Sequence, residues 1–152
     1  MIMDINEQFS LAQTLVVGTG DTVSTNILDT NPTSIPTPPQ NIDEGTGEHV
    51  YLNIRLGTAP LSATGTLQFV LQCDDNAAFS SPKEFPLTAG LLQAAMGANT
   101  FIYQGRLPLG LERFLRVVYR VGVAAFTAGT VDAFITKDTQ AQRAYASGFT
   151  VQ

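Results

Sequence analysis

The sequence predicts an all-β protein, built as a sandwich, a jelly roll or a small barrel. About eight short apolar stretches are separated by turn-rich loops, and no series of long helices alternates with them. In the clearest stretch, Thr66–Cys73, every second side chain is apolar: Leu67, Phe69, Leu71 and Cys73. Because strand side chains alternate between two faces, this period indicates a half-buried antiparallel strand.

The other predicted strands are read in chain order from the same alternation and from the turn residues between them. Together with Thr66–Cys73, the predicted strands cover 13–18, 22–28, 49–56, 66–73, 101–107, 113–121 and 130–136. Residues 87–97 fit a short helix or an irregular apolar loop. Four prolines exclude a central strand or helix from the loop 29–47: Pro32, Pro36, Pro38 and Pro39.

The chain is long enough for one domain with its own core, at 152 residues. We divide it into an N-terminal arm at 1–12, a domain at 13–137 that contains the Pro-rich loop 29–47, and a polar C-terminal tail at 138–152. The arm lacks a clean period and is predicted as an extended segment or a short helix.

Charge is scarce: 14% of the residues are charged, against about 25% in a typical soluble domain. Interface cores are depleted of charge, so this composition suits protein contacts, although a neutral polar monomer surface explains it equally well. The net charge of −5 argues against a nucleic-acid binder, which needs a basic footprint. The N-terminus has no signal peptide and no apolar run spans a membrane, so we expect synthesis in a cytoplasm.

Few residues are candidates for chemistry. His49 is the single histidine and opens a predicted strand, where a surface role is simpler than a catalytic one. Cys73 has the phase of the buried face and is expected to be a core residue. Asp74, Asp75 and Asn76 lack the spacing of a calcium loop and are predicted to form a turn. We therefore predict no catalytic, cofactor-binding or metal-binding residues and no enzyme activity.

Arg116 and Arg120 share one face of a predicted strand, roughly 13 Å apart at about 3.3 Å per residue. Phe114 and Val118 lie on the same face, which makes a mixed apolar and cationic stripe. Arginine is enriched at protein interfaces, so the stripe is a candidate contact surface. Two solvated arginines on an outer sheet face are the alternative.

Several segments together resemble the capsid cement proteins of tailed phages related to the Bordetella phage cement protein. The resemblance covers most of Thr66–Thr136 and the N-terminus. The segments that carry it are Leu71–Pro82, Glu112–Tyr119, Phe126–Val131, Met1–Asp4 and Phe9–Gln13.

This resemblance implies a jelly-roll β-sandwich of about eight antiparallel strands with an N-terminal arm. It implies a protein on the outer surface of the virion, made in the host bacterial cytoplasm, that stabilises contacts between capsomers. Its partners would be the major capsid protein and further copies of itself. A dimer is the favoured oligomer, and a trimer is the alternative. Nucleic acid, membranes, cofactors and small-molecule substrates are not expected.

We expect the arm, the Pro-rich loop and the tail to contact the shell, because a β-sandwich core does not need them. With the arginine stripe, the candidate interface residues are Met1, Ile2, Met3, Ile5, Phe9, Ile35, Pro38, Pro39, Arg116 and Arg120. A carbohydrate-binding module is the alternative function, although the chain has no Trp and four Tyr for a sugar platform. A small hydrolase that depends on His49 is the third.

Overall fold

The computed structural model describes residues 5–30, 49–137 and 139, which form two antiparallel β-sheets packed face to face. Single 3-10 turns cover Ile5–Glu7 and Gln93–Ala95. The strands are β1 Gln8–Thr14, β2 Gly20–Val23, β3 Leu28–Asp29, β4 Tyr51–Leu56, β5 Thr66–Asp74, β6 Lys83–Pro86, β7 Leu91–Leu92, β8 Phe101–Arg106, β9 Phe114–Gly122 and β10 Thr130–Thr136.

The strand order is that of a jelly roll. The first sheet has the order β1-β10-β4-β8, and the second has β2-β9-β5-β6, with β3 also on β9 and β7 also on β5. Neighbouring strands form four pairs that lie alternately in the first and the second sheet, as in a long hairpin rolled into a sandwich: β1 with β10, β2 with β9, β4 with β8, and β5 with β6. The predicted all-β jelly roll is confirmed. It has ten strands because two of the eight strands of a jelly roll are each split into two segments, β2 with β3 and β6 with β7.

Apolar side chains from the inner faces of both sheets form one core. The inward face predicted for β5 is confirmed, because its residues are fully buried: Leu67, Phe69, Leu71 and Cys73. The expectation of a half-buried strand is wrong, since Val70 and Gln72 on the other face are buried as well. On β9 the ring of Tyr119 packs edge-on against Phe69, with the ring centroids 5.8 Å apart.

The first strand corrects the predicted arm. β1 begins at Gln8, and Phe9 is 0% exposed in the core, so residues 8–12 belong to the sandwich. The pairing of β1 with β10 shifts register twice, and Ala12 has a φ of 47°. Such irregularities break the period of two, which is why the sequence pattern placed the strand at 13–18.

Two other predictions also change. The strand expected at 22–28 is split into β2 and β3, because the Ser24 hydroxyl accepts a hydrogen bond from Val117 N (3.1 Å) and donates one to Asn26 O (2.8 Å). Residues 87–97, predicted as a short helix or an irregular apolar loop, contain the two-residue strand β7 and a single 3-10 turn, and the rest is irregular. The strand β6 was not predicted, whereas β4, β8, β9 and β10 lie where the sequence placed strands.

The antiparallel order sends the connections to two ends of the sandwich. One end carries 15–19, 57–65, 91–100 and 123–129. The other end, called the opposite end below, carries 75–82 and 107–113, and the chain enters or leaves the described region there at Ile5, Thr30, His49 and Lys137.

Candidate interaction surface

Four loop segments form a continuous surface, which we call the uncharged loop end: residues 15–19, 57–65, 91–100 and 123–129. Hydrogen bonds between neighbouring loops hold them in one arrangement. These bonds run from Leu15 N to Gly129 O (2.9 Å), from Thr127 N to Leu61 O (2.9 Å), and from Ser62 N to Gln93 Oε1 (3.0 Å).

None of the residues in these four segments is Asp, Glu, Lys, Arg or His. The charges of the described chain lie on the sheets and at the opposite end, where Asp75, Glu112 and Arg113 are found. A protein surface without charge avoids the large cost of removing ions from water when a partner covers it. This end therefore has the composition of an interface core.

Large apolar side chains are exposed on the same surface. One from each loop has between 51% and 77% of its area exposed: Val16, Leu61, Leu92 and Val123. A shallow depression of about 380 Å³ lies beside Leu92, and its other lining residues are Ser62, Ala63, Gln93 and Ala94. Clustered apolar exposure marks binding surfaces more often than scattered exposure does.

Val123 has a strained backbone. Its φ is 66°, and Ala124 N donates a hydrogen bond to Gly122 O (2.8 Å) around it, which closes a three-residue γ-turn. A β-branched residue in this region costs about 1–2 kcal/mol relative to an ordinary conformation. Its side chain is 77% exposed, so core packing does not compensate the strain, and such outliers concentrate at functional positions.

The outer face of the second sheet carries the predicted arginine stripe, and the shared face of Arg116 and Arg120 is confirmed by the register of β9. Arg120 donates two hydrogen bonds to the Asp21 carboxylate (2.7 and 2.8 Å) and one to Glu84 Oε1 (2.9 Å). These bonds hold the pKa of Asp21 and of Glu84 below the usual values.

Arg116 also contacts side chains of its own chain. Its Nε donates to Gln72 Oε1 (2.7 Å), and its guanidinium lies 4.0 Å from the ring centroid of Phe79. The stripe thus forms bonds within this chain, and a contact with another protein stays a prediction for both arginines.

A model of the Bbp16 family matches residues 9–135, from the beginning of β1 to the end of β10. The chain belongs to the Bbp16 family. The family name suggests a Bordetella phage protein, which agrees with the resemblance seen in the sequence. None of the curated proteins compared with the chain matches it.

The predicted interface residues of this Bbp16-family chain have different environments. Ile5 is 71% exposed and, with Ile27, lines a groove of about 820 Å³ at the opposite end. Phe9 is a correction: it is fully buried in the core and presents no surface to a partner. The remaining candidates lie outside the described residues: Met1, Ile2, Met3, Ile35, Pro38 and Pro39.

The predicted turn after β5 is confirmed. The Asp74 carboxylate accepts hydrogen bonds from Ser81 N and Asn76 N, both 2.9 Å, and these bonds lower the pKa of Asp74. The hydrogen bond to Asp74 raises the pKa of Asp75. Cys73 is buried as expected, and burial raises the pKa of its thiol.

Two further searches concern only the part of the chain that the structure describes. Within residues 5–30, 49–137 and 139, no three His, Cys, Asp or Glu side chains gather where a metal ion could bind. The same ranges contain no helix with the length and apolar character needed to cross a membrane.

Sequence reasoning missed the uncharged loop end, although a signal was present. No charged residue occurs between Glu84 and Arg106, or between Arg120 and Asp132. These gaps are visible in one dimension, but the strand order was needed to show that they meet at one end of the sandwich.

Proposed function

We propose that this Bbp16-family chain is a capsid cement protein of a tailed phage. It binds the outer surface of the icosahedral shell and stabilises the contacts between capsomers of the major capsid protein. The observation that carries this proposal is the Bbp16 match over the whole jelly roll, 9–135. The uncharged, partly apolar loop end supports a binding role, because such a surface suits protein contacts.

The proposed shell contacts lie at the opposite end. The exposed Ile5 and the groove that it shares with Ile27 are there, and the segments 1–4, 31–48 and 138–152 join the sandwich at the same end. Repetition on a symmetric shell turns many weak contacts into high avidity, so each contact can be small.

The test adds purified protein to capsids that lack it and measures co-sedimentation and the temperature at which the shell breaks. We expect the protein to co-sediment and the temperature to rise. Capsids that gain no protein, or that gain protein without resisting heat, contradict the proposal.

A variant locates the contact. Deletion of 1–12 would remove most of β1, from Gln8 to Ala12, together with the buried Phe9, so it would unfold the sandwich. Ile5→Asp changes an exposed residue instead and is expected to reduce capsid occupancy about tenfold or more. Leu11→Asp is the matched control, since Leu11 is also exposed (62%) but does not line the groove. Equal occupancy for both variants would place the contact elsewhere.

A further inference from the structure

We propose that the outer edge of β8 is the docking site of the chain's own C-terminal segment 143–151, which adds to the first sheet as an antiparallel strand. The segment lies outside the described residues. Three observations support its docking at β8: the open backbone of this strand, the point at which the described chain leaves the sandwich, and the sequence of the segment.

β8 lies at the edge of the first sheet, and half of its backbone groups point away from its neighbour β4. The hydrogen bond from Leu107 N to Val50 O (3.1 Å) fixes the alternation, because every second residue of an antiparallel strand faces the partner strand. The N–H and C=O groups of Gln104 and Arg106 therefore face outward. Within the described ranges, no residue forms a hydrogen bond with these backbone groups.

The other sheet edges carry features that block strand addition. On β1, Asn26 donates hydrogen bonds to Phe9 O (2.8 Å) and Gln8 O (3.2 Å), and two register shifts distort the strand. In the second sheet β2 and β6 have four residues each, and β6 contains two charged residues and Pro86. Short, charged or bulged edges resist pairing with a further strand. β8 has six residues, no proline, one charge at its last position and one register shift near its start, so it is the edge that a strand can join.

The described chain leaves the sandwich close to the end of β8. Thr136 at the end of β10 pairs with Tyr51, which pairs with Arg106 at the end of β8, so the three residues lie in one row. At about 4.8 Å between neighbouring strands, a strand added outside β8 lies roughly 14 Å from β10. The residues 138–142 cover this distance at about 3.3 Å per residue. The chain beyond them, 143–152, then starts where β8 ends and runs antiparallel to it.

The segment 143–151 has the sequence of a strand with one bulky and one small face. It contains no proline, and no charged residue follows Arg143. The larger side chains that favour strands share one phase of a two-residue period: Tyr145, Phe149 and Val151. The other phase contains Ala144, Ala146 and Gly148. With the bulky phase turned inward, the added strand covers the edge of the core, where Ile102 and Tyr103 are only partly buried.

Strand addition from the same chain also protects the sandwich. An open edge pairs with any exposed strand, including one from another molecule. The chain's own segment is tethered nearby, so its effective concentration is high and it fills the edge first. This docking assigns 143–151 to the sandwich, whereas the sequence alone assigned the whole tail to shell contacts.

The experiment measures amide hydrogen exchange of the full chain by NMR, for the unchanged protein and for the double variant Ala146→Pro/Ser147→Pro. Proline has no N–H to donate, and of two consecutive residues one faces β8 in either register. We expect the amides of Gln104 and Arg106 to exchange at least about tenfold faster in the variant than in the unchanged protein. The amides of Tyr103 and Gly105, which face β4, are expected to stay protected and to show that the sandwich is folded.

The matched control is Gln140→Pro/Ala141→Pro, which places the same residues in the crossing segment 138–142 and is expected to leave the exchange unchanged. Amides of Gln104 and Arg106 that exchange without protection in the unchanged protein overturn the proposal. So does protection that disappears on dilution, because the strand then comes from another molecule. A chain that shows the protection but does not bind capsids supports the docking and contradicts the proposed function alone.

Discussion

Tyr119 connects the two sheets through its hydroxyl group, which lies 2.7 Å from Ser10 Oγ inside the core. Ser10 in turn donates to Gln13 Oε1 (2.6 Å), so the tyrosine is the donor in the first bond. Both Tyr119 and Ser10 are buried. Burial raises the pKa of Tyr119 well above its usual value, so the phenol stays protonated and keeps this bond.

We therefore predict that Tyr119→Phe lowers the free energy of unfolding by about 1–2 kcal/mol, the cost of a lost buried hydrogen bond. Chemical denaturation of Tyr119→Phe, Ser10→Ala and the double variant measures the coupling between the two residues. Strictly additive effects would show that the bond between the sheets contributes nothing.

At the scale of elements, the arginine stripe connects three of the four main strands of the second sheet. Arg120 on β9 binds Asp21 on β2 and Glu84 on β6, and it reaches Glu84 across β5. The two edge strands are short, with four residues each. A side-chain bridge compensates for the few backbone bonds that strands of this length make.

Arg120→Ala is predicted to lower the free energy of unfolding at pH 7 by about 1 kcal/mol, since all three partners are partly exposed and solvent screens the pairs. Arg120→Lys keeps the positive charge but cannot form the bidentate hydrogen bonds. We therefore expect its free energy of unfolding to lie between those of Arg120→Ala and the unchanged protein.

The same network has a predictable dependence on pH. Arg120 lowers the pKa of Asp21 and Glu84 in the folded state, so their contribution is complete above the ordinary values of 3.8 and 4.5 and is lost as the pH falls through the lowered ones. Denaturation between pH 7 and pH 2 is expected to show a shallower acid-side decline for Arg120→Ala than for the unchanged protein. Parallel curves would contradict this assignment.

The whole molecule has two ends with different chemistry. One end is uncharged and exposes Val16, Leu61, Leu92 and Val123. The opposite end carries charged loop residues such as Glu112 and Arg113, together with the groove at Ile5. The two ends of the sandwich therefore differ in charge.

Prediction from sequence succeeded where the chain has a regular period of two. The strands β5 and β9 each alternate over seven residues or more, so their faces could be assigned. It failed at β1, where bulges hide the strand and Phe9 was taken for an arm residue. It also placed Arg116 and Arg120 on one face but could not find Asp21 and Glu84, which come from distant parts of the chain.

The sequence by itself determined the all-β class, the inward face of β5, the turn at Asp74 and the family, because all of these depend on local pattern. The tertiary structure decided which distant loops meet. Strand pairing brings 15–19, 57–65, 91–100 and 123–129 together at one end. A surface made of segments that are far apart in the chain exists only after the sheets have formed, so the sequence shows the uncharged stretches but not that they meet.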